Sequence, residues 1–168
     1  MSNEIVNRVA NSQLKTIDLE EFYPKGNRIV LDIKPWLFHE LILKENEFRA
    51  HLKNHNWEQY KNSYVALTCS SEAIIPSWAF MLISTYLTNA KKIVVGNLET
   101  LETILFSEII SKFNISEFKN KPIIIKGCAN KPIPSTAYTQ LINKLQPVAK
   151  SIMFGEACST VPLFKKKN

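Results

Sequence analysis

The chain has 168 residues and is 45% apolar, 21% charged and 10% aromatic, which suits one compact core and excludes intrinsic disorder as its overall state. No apolar run reaches the roughly 18–20 residues of a membrane span, and Met1-Ser2-Asn3-Glu4 lacks the basic-then-apolar start of a signal peptide, so a cytoplasmic protein with no membrane partner is expected. The net charge of +6 owes half its size to Lys165, Lys166 and Lys167, so a solvated lysine end is expected rather than a nucleic-acid surface.

In chain order, Leu14–Leu19 and Arg28–Ile33 read as strands around the turn-rich Tyr23-Pro24-Lys25-Gly26-Asn27. They suit an antiparallel hairpin or a small separate layer. A helix is expected from Glu45 to about His55, with Phe48 and Leu52 inward. Tyr64–Thr68 is a short β-rich run. Pro76 to about Leu87 carries apolar groups at helical spacing. Lys92–Gly96 is the next strand, and Asn97 caps a helix that places Leu98, Leu101, Ile104, Leu105, Ile109 and Phe113 on one broad face. Ile123-Ile124-Ile125 is a buried type of strand, extended to 127. Ala137, Tyr138, Leu141, Ile142 and Leu145 mark a helix that Pro147 stops near Gln146. Ser151–Phe154 is a further strand.

This rhythm predicts an α/β layered fold with a mostly parallel central sheet (64–68, 92–96, 123–127, 151–154). An N-terminal β-hairpin and helix are added to it. No linker or composition break divides the chain, so a single domain over 1–168 is expected.

Four glycines are too sparse for a dinucleotide or P-loop fingerprint. Three cysteines, an odd number in a cytosolic-looking chain, do not suggest a disulfide framework. Each of Cys69, Cys128 and Cys158 follows a predicted strand. In an open parallel sheet the carboxyl ends of the strands share one edge, where ligands bind. The surroundings repeat: Cys69 precedes Ile75-Pro76-Ser77-Trp78-Ala79-Phe80, and Cys128 precedes Ile133-Pro134-Ser135-Thr136-Ala137-Tyr138. Cys158-Ser159-Thr160-Val161-Pro162 is a shortened echo. Proline is tolerated in the first helical turn, so the repeated unit reads strand, cysteine, loop, proline, helix. Helix N-termini favour thiolates.

Thiolates aimed at one point suit zinc or an iron–sulfur cluster, so Cys69, Cys128 and Cys158 are candidate metal ligands. Glu156, His39 or water are conceivable fourth partners. Two other readings stand beside this one. One cysteine could act alone as a sulfur-carrying or covalent nucleophile. Free cysteines are also among the most buried residues, and three inert thiols would leave a binding or assembly module. His51 and His55 share a helix face, but no H-E-x-x-H pattern accompanies them. Trp36, Trp57 and Trp78 read as core or core-edge aromatics. Asp18, Glu20, Glu21 and Asp32 read as solvated acidic strand ends. Ser70, Ser71, Ser159 and Thr160 suit turns or a bound ligand equally.

Thr16-Ile17-Asp18-Leu19-Glu20-Glu21-Phe22-Tyr23-Pro24, Leu67-Thr68-Cys69-Ser70, Lys126-Gly127-Cys128 and Gly155-Glu156-Ala157-Cys158-Ser159-Thr160-Val161-Pro162-Leu163 resemble the bacterial "domain of unknown function 2480" family. The resemblance runs over essentially the whole chain. It implies no particular activity. It implies an occurrence mainly in Bacteroidetes-type bacteria, beside SUF iron–sulfur assembly components. That neighbourhood favours an iron–sulfur cluster over zinc and makes iron–sulfur assembly proteins the expected partners.

Overall fold

A computed structural model describes residues 13–127, 130–156 and 159–167. The chain divides into two compact units, one formed by residues 24–105 and the other by residues 1–23 with 106–168. The mixed α/β class expected from the sequence is present, with parallel strands in both units.

The 24–105 unit holds a three-stranded, wholly parallel sheet. Its strands are β2 (Arg28–Asp32), β3 (Tyr64–Thr68) and β4 (Lys92–Val95), in that spatial order. Helix α1 (Glu45–Asn54) connects β2 to β3, and α2 (Ser77–Tyr86) connects β3 to β4. Leu31, Val65 and Leu67 meet Phe48 and Leu52 of α1 and Ala79 and Ile83 of α2 in one buried cluster. On the other face Ala66 and Val94 pack with Leu101 and Leu105, from the first half of α3 (Leu98–Lys112). Asn97 caps α3 as its sequence suggests, its Oδ1 accepting from the Thr100 amide at 2.9 Å and the Thr100 hydroxyl at 3.0 Å.

The second unit holds a four-stranded sheet in the order β1 (Lys15–Ile17), β5 (Pro122–Ile125), β6 (Ser151–Glu156), β7 (Ser159–Lys165). The first three strands are parallel and β7 is antiparallel to β6. Helix α4 (Ser135–Leu145) joins β5 to β6, and its Ala137, Leu141 and Leu145 pack with Phe106 and Ile110 of α3 over Ile17, Ile123, Ile125 and Ile152.

Three expectations are corrected. The strands form two sheets, not one central sheet. The N-terminal strands are not a hairpin, because β1 pairs with β5 and β2 with β3, each parallel. Turn composition between them was a local signal, whereas Ile17, Leu31 and their apolar neighbours each needed a different buried partner strand. Finally, the stretch after Cys158 is a strand. Thr160, Val161, Pro162 and Phe164 pair along β6, Leu163 is passed over at a register shift, and Pro162, lacking an N–H, sits beside that shift on this edge strand. The lysine end thus begins in the sheet at Lys165.

The two units share one plan to a degree that the cysteine–proline repeat only hinted at. The buried members Phe48, Leu52, Tyr60, Val65, Leu67, Ala79, Ile83 and Leu87 of one unit correspond at a constant chain offset to buried Phe106, Ile110, Phe118, Ile123, Ile125, Ala137, Leu141 and Leu145 of the other. Leu31 and Ile33 flank Asp32 as Ile17 and Leu19 flank Asp18, and all four apolar side chains are buried. The backbone repeats too. Asn62 and Asn120 both have φ of 57°, a left-handed conformation that asparagine tolerates, just before β3 and β5. The Asn62 amide donates to the Asn89 carbonyl at 2.9 Å, and the Asn120 amide to that of Val148 at 2.8 Å. Pro76 and Pro134 both stand in extended conformation, φ −67° and −69°, immediately before α2 and α4. They precede the first helical turn and are not within it. Gly96 follows β4 at positive φ, and Gly155, near the end of β6, also has positive φ, where a Cβ would lie 2.5 Å from the Ser159 carbonyl oxygen.

Candidate functional site

In each unit the carboxyl ends of parallel strands meet at one edge, and the polar side chains of interest gather there. Each edge is built in the same way. At or just after the end of the first strand stands an aspartate whose carboxylate accepts from the backbone amide two residues on, in the short 3-10 turn that follows. Asp18 Oδ1 accepts from the Glu20 amide at 3.0 Å, and Asp32 Oδ1 from the Lys34 amide at 3.0 Å. In register, Asp32 lies opposite Thr68, so its carboxylate is beside the loop that opens with Cys69.

At the edge of the 24–105 unit, Asp32 Oδ1 also accepts from the Ser70 amide at 3.0 Å, and Oδ2 from the Ser70 hydroxyl at 2.5 Å. Burial alone pushes the Asp32 carboxyl up and is the largest single influence. The Ser70 hydroxyl, the Lys34 and Ser70 amides and the Lys34 charge together outweigh it and hold the carboxyl below its usual range. Cys69 is half-buried. Its Sγ lies 3.2 Å from Ser71 Oγ, which also accepts from the Ala73 amide at 3.3 Å. That second bond uses an oxygen lone pair of Ser71 and leaves its proton free to point at the sulfur. Lys34 makes an ion pair with Glu40 at 3.0 Å. Its ammonium is held above its usual range, first by the hydrogen bond to Glu40 and then by the charge of Glu40, with smaller contributions from Asp32 and Cys69.

At the edge of the second unit, Asp18 Oδ2 pairs with Lys126 Nζ at 3.2 Å. This hydrogen bond, followed by the Asp18 charge, raises the Lys126 ammonium above its usual range, and Glu156 and Glu21 add to the effect. The Glu20 carboxylate accepts from the amides of Asn130 and Lys131, and Lys131 Nζ donates to the Glu20 carbonyl at 3.2 Å. Lys126 and Lys131, with the carboxylates of Asp18, Glu20, Glu21 and Glu156, thus stand around the start of the loop that carries Cys128.

Of the expected metal ligands, Cys69 is placed as above, while Cys128 and Cys158 lie outside the described residues. Cys69 follows a strand of the three-stranded sheet. Cys128 and Cys158 follow β5 and β6, which are neighbours in the four-stranded one. Among the described residues no group of three or more His, Cys, Asp or Glu side chains could hold a metal ion. His39 stands in a tight turn at φ of 49°, its ring against Phe38. His51 stacks on Trp36, and His55 meets Trp36 edge-on and lies 2.8 Å from the Tyr60 hydroxyl, so this histidine pair serves an aromatic cluster. Burial lowers the His55 pKa below its usual value.

Asp18 and Asp32 are not the solvated strand ends that composition suggests. The signal for them was legible as Ile17-Asp18-Leu19 echoing Leu31-Asp32-Ile33, an acid between two core residues at the end of a strand.

The fold and its edges define a two-unit α/β protein with charged, hydroxyl and thiol groups at the carboxyl ends of parallel strands. A family model described as "Protein of unknown function (DUF2480)" matches residues 3–166, and the chain belongs to that family. No curated protein and no solved structure matches it. No helix among the described residues is long and apolar enough to cross a membrane.

Proposed function

We propose that this protein works through its cysteines, holding a soft metal or an iron–sulfur cluster with Cys69, Cys128 and Cys158 as the ligand candidates. The observation that carries the reading is topological. β5 and β6 are adjacent and parallel, so the chain leaves them toward Cys128 and Cys158 from the same sheet edge. Cys69 leaves the corresponding strand β3 of the other unit. Thiolate ligands favour zinc or iron–sulfur chemistry over hard cations. In a cytoplasmic setting such a protein would serve iron–sulfur assembly proteins as an accessory that holds or passes on a cluster.

Anaerobic purification followed by iron, zinc, acid-labile sulfide and visible-absorption measurement tests this. The expected result is metal near stoichiometry with the chain, lost on Cys→Ser substitution at 69, 128 or 158. Colourless, metal-free protein of full stability would overturn it.

A thiol-chemistry reading has its own observation. Cys69 Sγ is half-buried, lies 3.2 Å from the Ser71 hydroxyl, and is within electrostatic reach of the Lys34 ammonium. This reading expects Cys69 to react with iodoacetamide far faster than the other two cysteines in metal-free protein. Equal, slow labelling of all three would remove it.

A further inference from the structure

We infer that Asp32 is a positioning residue for Cys69, acting through Ser70. The inference rests on the reading that Cys69 is one of the working thiols. The carboxylate reaches across from the end of β2 and takes both the amide and the hydroxyl of Ser70, at 3.0 Å and 2.5 Å. Ser70 is the residue after Cys69, so its backbone sets the direction in which the thiol leaves β3. Hydrogen bonds to an ionised acceptor are about twice as strong as neutral ones.

The other unit supplies an internal control. Asp18 occupies the position of Asp32 and makes the same bond to the amide two residues on. A bond to the amide two residues on is therefore what both units ask of this aspartate. The capture of Ser70 goes beyond it. Asp18 Oδ2 pairs with the Lys126 side chain. Asp32 takes both the amide and the hydroxyl of the residue next to a cysteine. Cys69 itself has no thiol counterpart, because Gly127 stands at its corresponding position.

Ser71 completes the arrangement. Its hydroxyl faces Cys69 Sγ and is itself fixed by the Ala73 amide. With Ser70 held, the Ser71 hydroxyl meets the sulfur. With Ser70 released, the loop opens and the half-buried thiol gains solvent access.

The experiment is per-cysteine alkylation by iodoacetamide on the full-length, reduced, metal-free chain, followed by mass spectrometry. D32A, S70A and the double variant are compared with wild type, with D32N as the conservative replacement. D32A and S70A are each expected to raise the Cys69 rate about tenfold, with Cys128 and Cys158 within twofold of wild type. The double variant is expected to match the larger single effect. D32N keeps acceptors for the Lys34 and Ser70 amides and is expected to recover most of the protection. An unchanged Cys69 rate in folded D32A, or a double variant showing the product of the single effects, overturns the inference. If D32A does not fold, S70A, which removes only a hydroxyl, decides it: an unchanged Cys69 rate there overturns the inference too. Because the protein is metal-free, the result is independent of the metal content that tests the proposed function.

Discussion

The two units bury the same residues and expose different ones. Phe48 and Phe106, Leu67 and Ile125, Ala79 and Ala137 stand at matching places in the two cores, yet the groove between α1 and α2 is lined by Arg49, Trp78 and Met81 while its counterpart between α3 and α4 is lined by Ser107, Gln140 and Lys144. In the second groove Lys144 Nζ donates to the Ile110 and Ser111 carbonyls at 2.7 and 2.6 Å, and Gln140 donates to Ser107 at 2.9 Å. One plan thus carries two surfaces and two edge chemistries. What the units share is the buried packing, and where they part company is in the groove surface and the chemistry of the strand ends.

The hardest way to break this comparison is through the matched core. Phe48→Ala and Phe106→Ala should each cost about 3–5 kcal/mol in urea unfolding, since each empties a fully buried aromatic site. A near-neutral result for either would mean that its unit does not depend on the shared packing. Next comes a buried ion pair within the 24–105 unit. Arg28 Nε donates to Glu102 Oε1 at 2.7 Å, and the guanidinium also holds the Pro24 and Gly26 carbonyls at 2.5 and 2.7 Å. Arg28→Met alone should cost about 3–5 kcal/mol by taking the guanidinium away from the buried Glu102 carboxylate. Arg28→Met with Glu102→Leu should recover much of that. No recovery would locate the value of Arg28 in its carbonyl contacts.

The edges should answer to pH. Asp32 has a depressed pKa in the folded chain, so its contribution to stability is present above the unfolded value of about 3.9 and is lost as pH falls through the folded one. Asp32→Asn should therefore flatten the acid limb of the stability profile below about pH 4. An acid limb identical to wild type would show that Ser70 and Lys34 do not favour the ionised form. The smallest effect belongs to the divergent surface. Met81→Thr copies Thr139 at the matching place of α4, and with Met81 69% exposed the change should stay within about 0.5 kcal/mol. A larger loss would make the groove part of the fold.

Much of the architecture was legible in the sequence. The helices at Glu45, Ser77, Leu98 and Ser135 follow from apolar spacing, the Asn97 cap and the prolines before α2 and α4. The strands at Tyr64, Lys92, Pro122 and Ser151 follow from short β-branched runs. Strand partnership was not legible. Nothing local in Lys15–Ile17 says that its partner is β5, because pairing over such a distance is decided by which buried faces fit. The run Ser159–Lys165 was masked by its proline, which an edge strand tolerates at a register shift. For the site, the placement of Cys69 after β3 was legible and its surroundings were not. Asp32 and Ser70 are far apart in sequence, and only the parallel register of β2 and β3 brings them together.

If the cysteines carry the function on a frame that does not need them, metal content and stability should separate in Cys→Ser variants. Metal and sulfide analysis of anaerobically purified wild type and of C69S, C128S and C158S, paired with urea midpoints of the metal-free proteins, is the measurement. The expected result is metal bound by wild type, lost in the variants, with midpoints unchanged. Metal-free wild type, or variants that keep full metal occupancy, would contradict it.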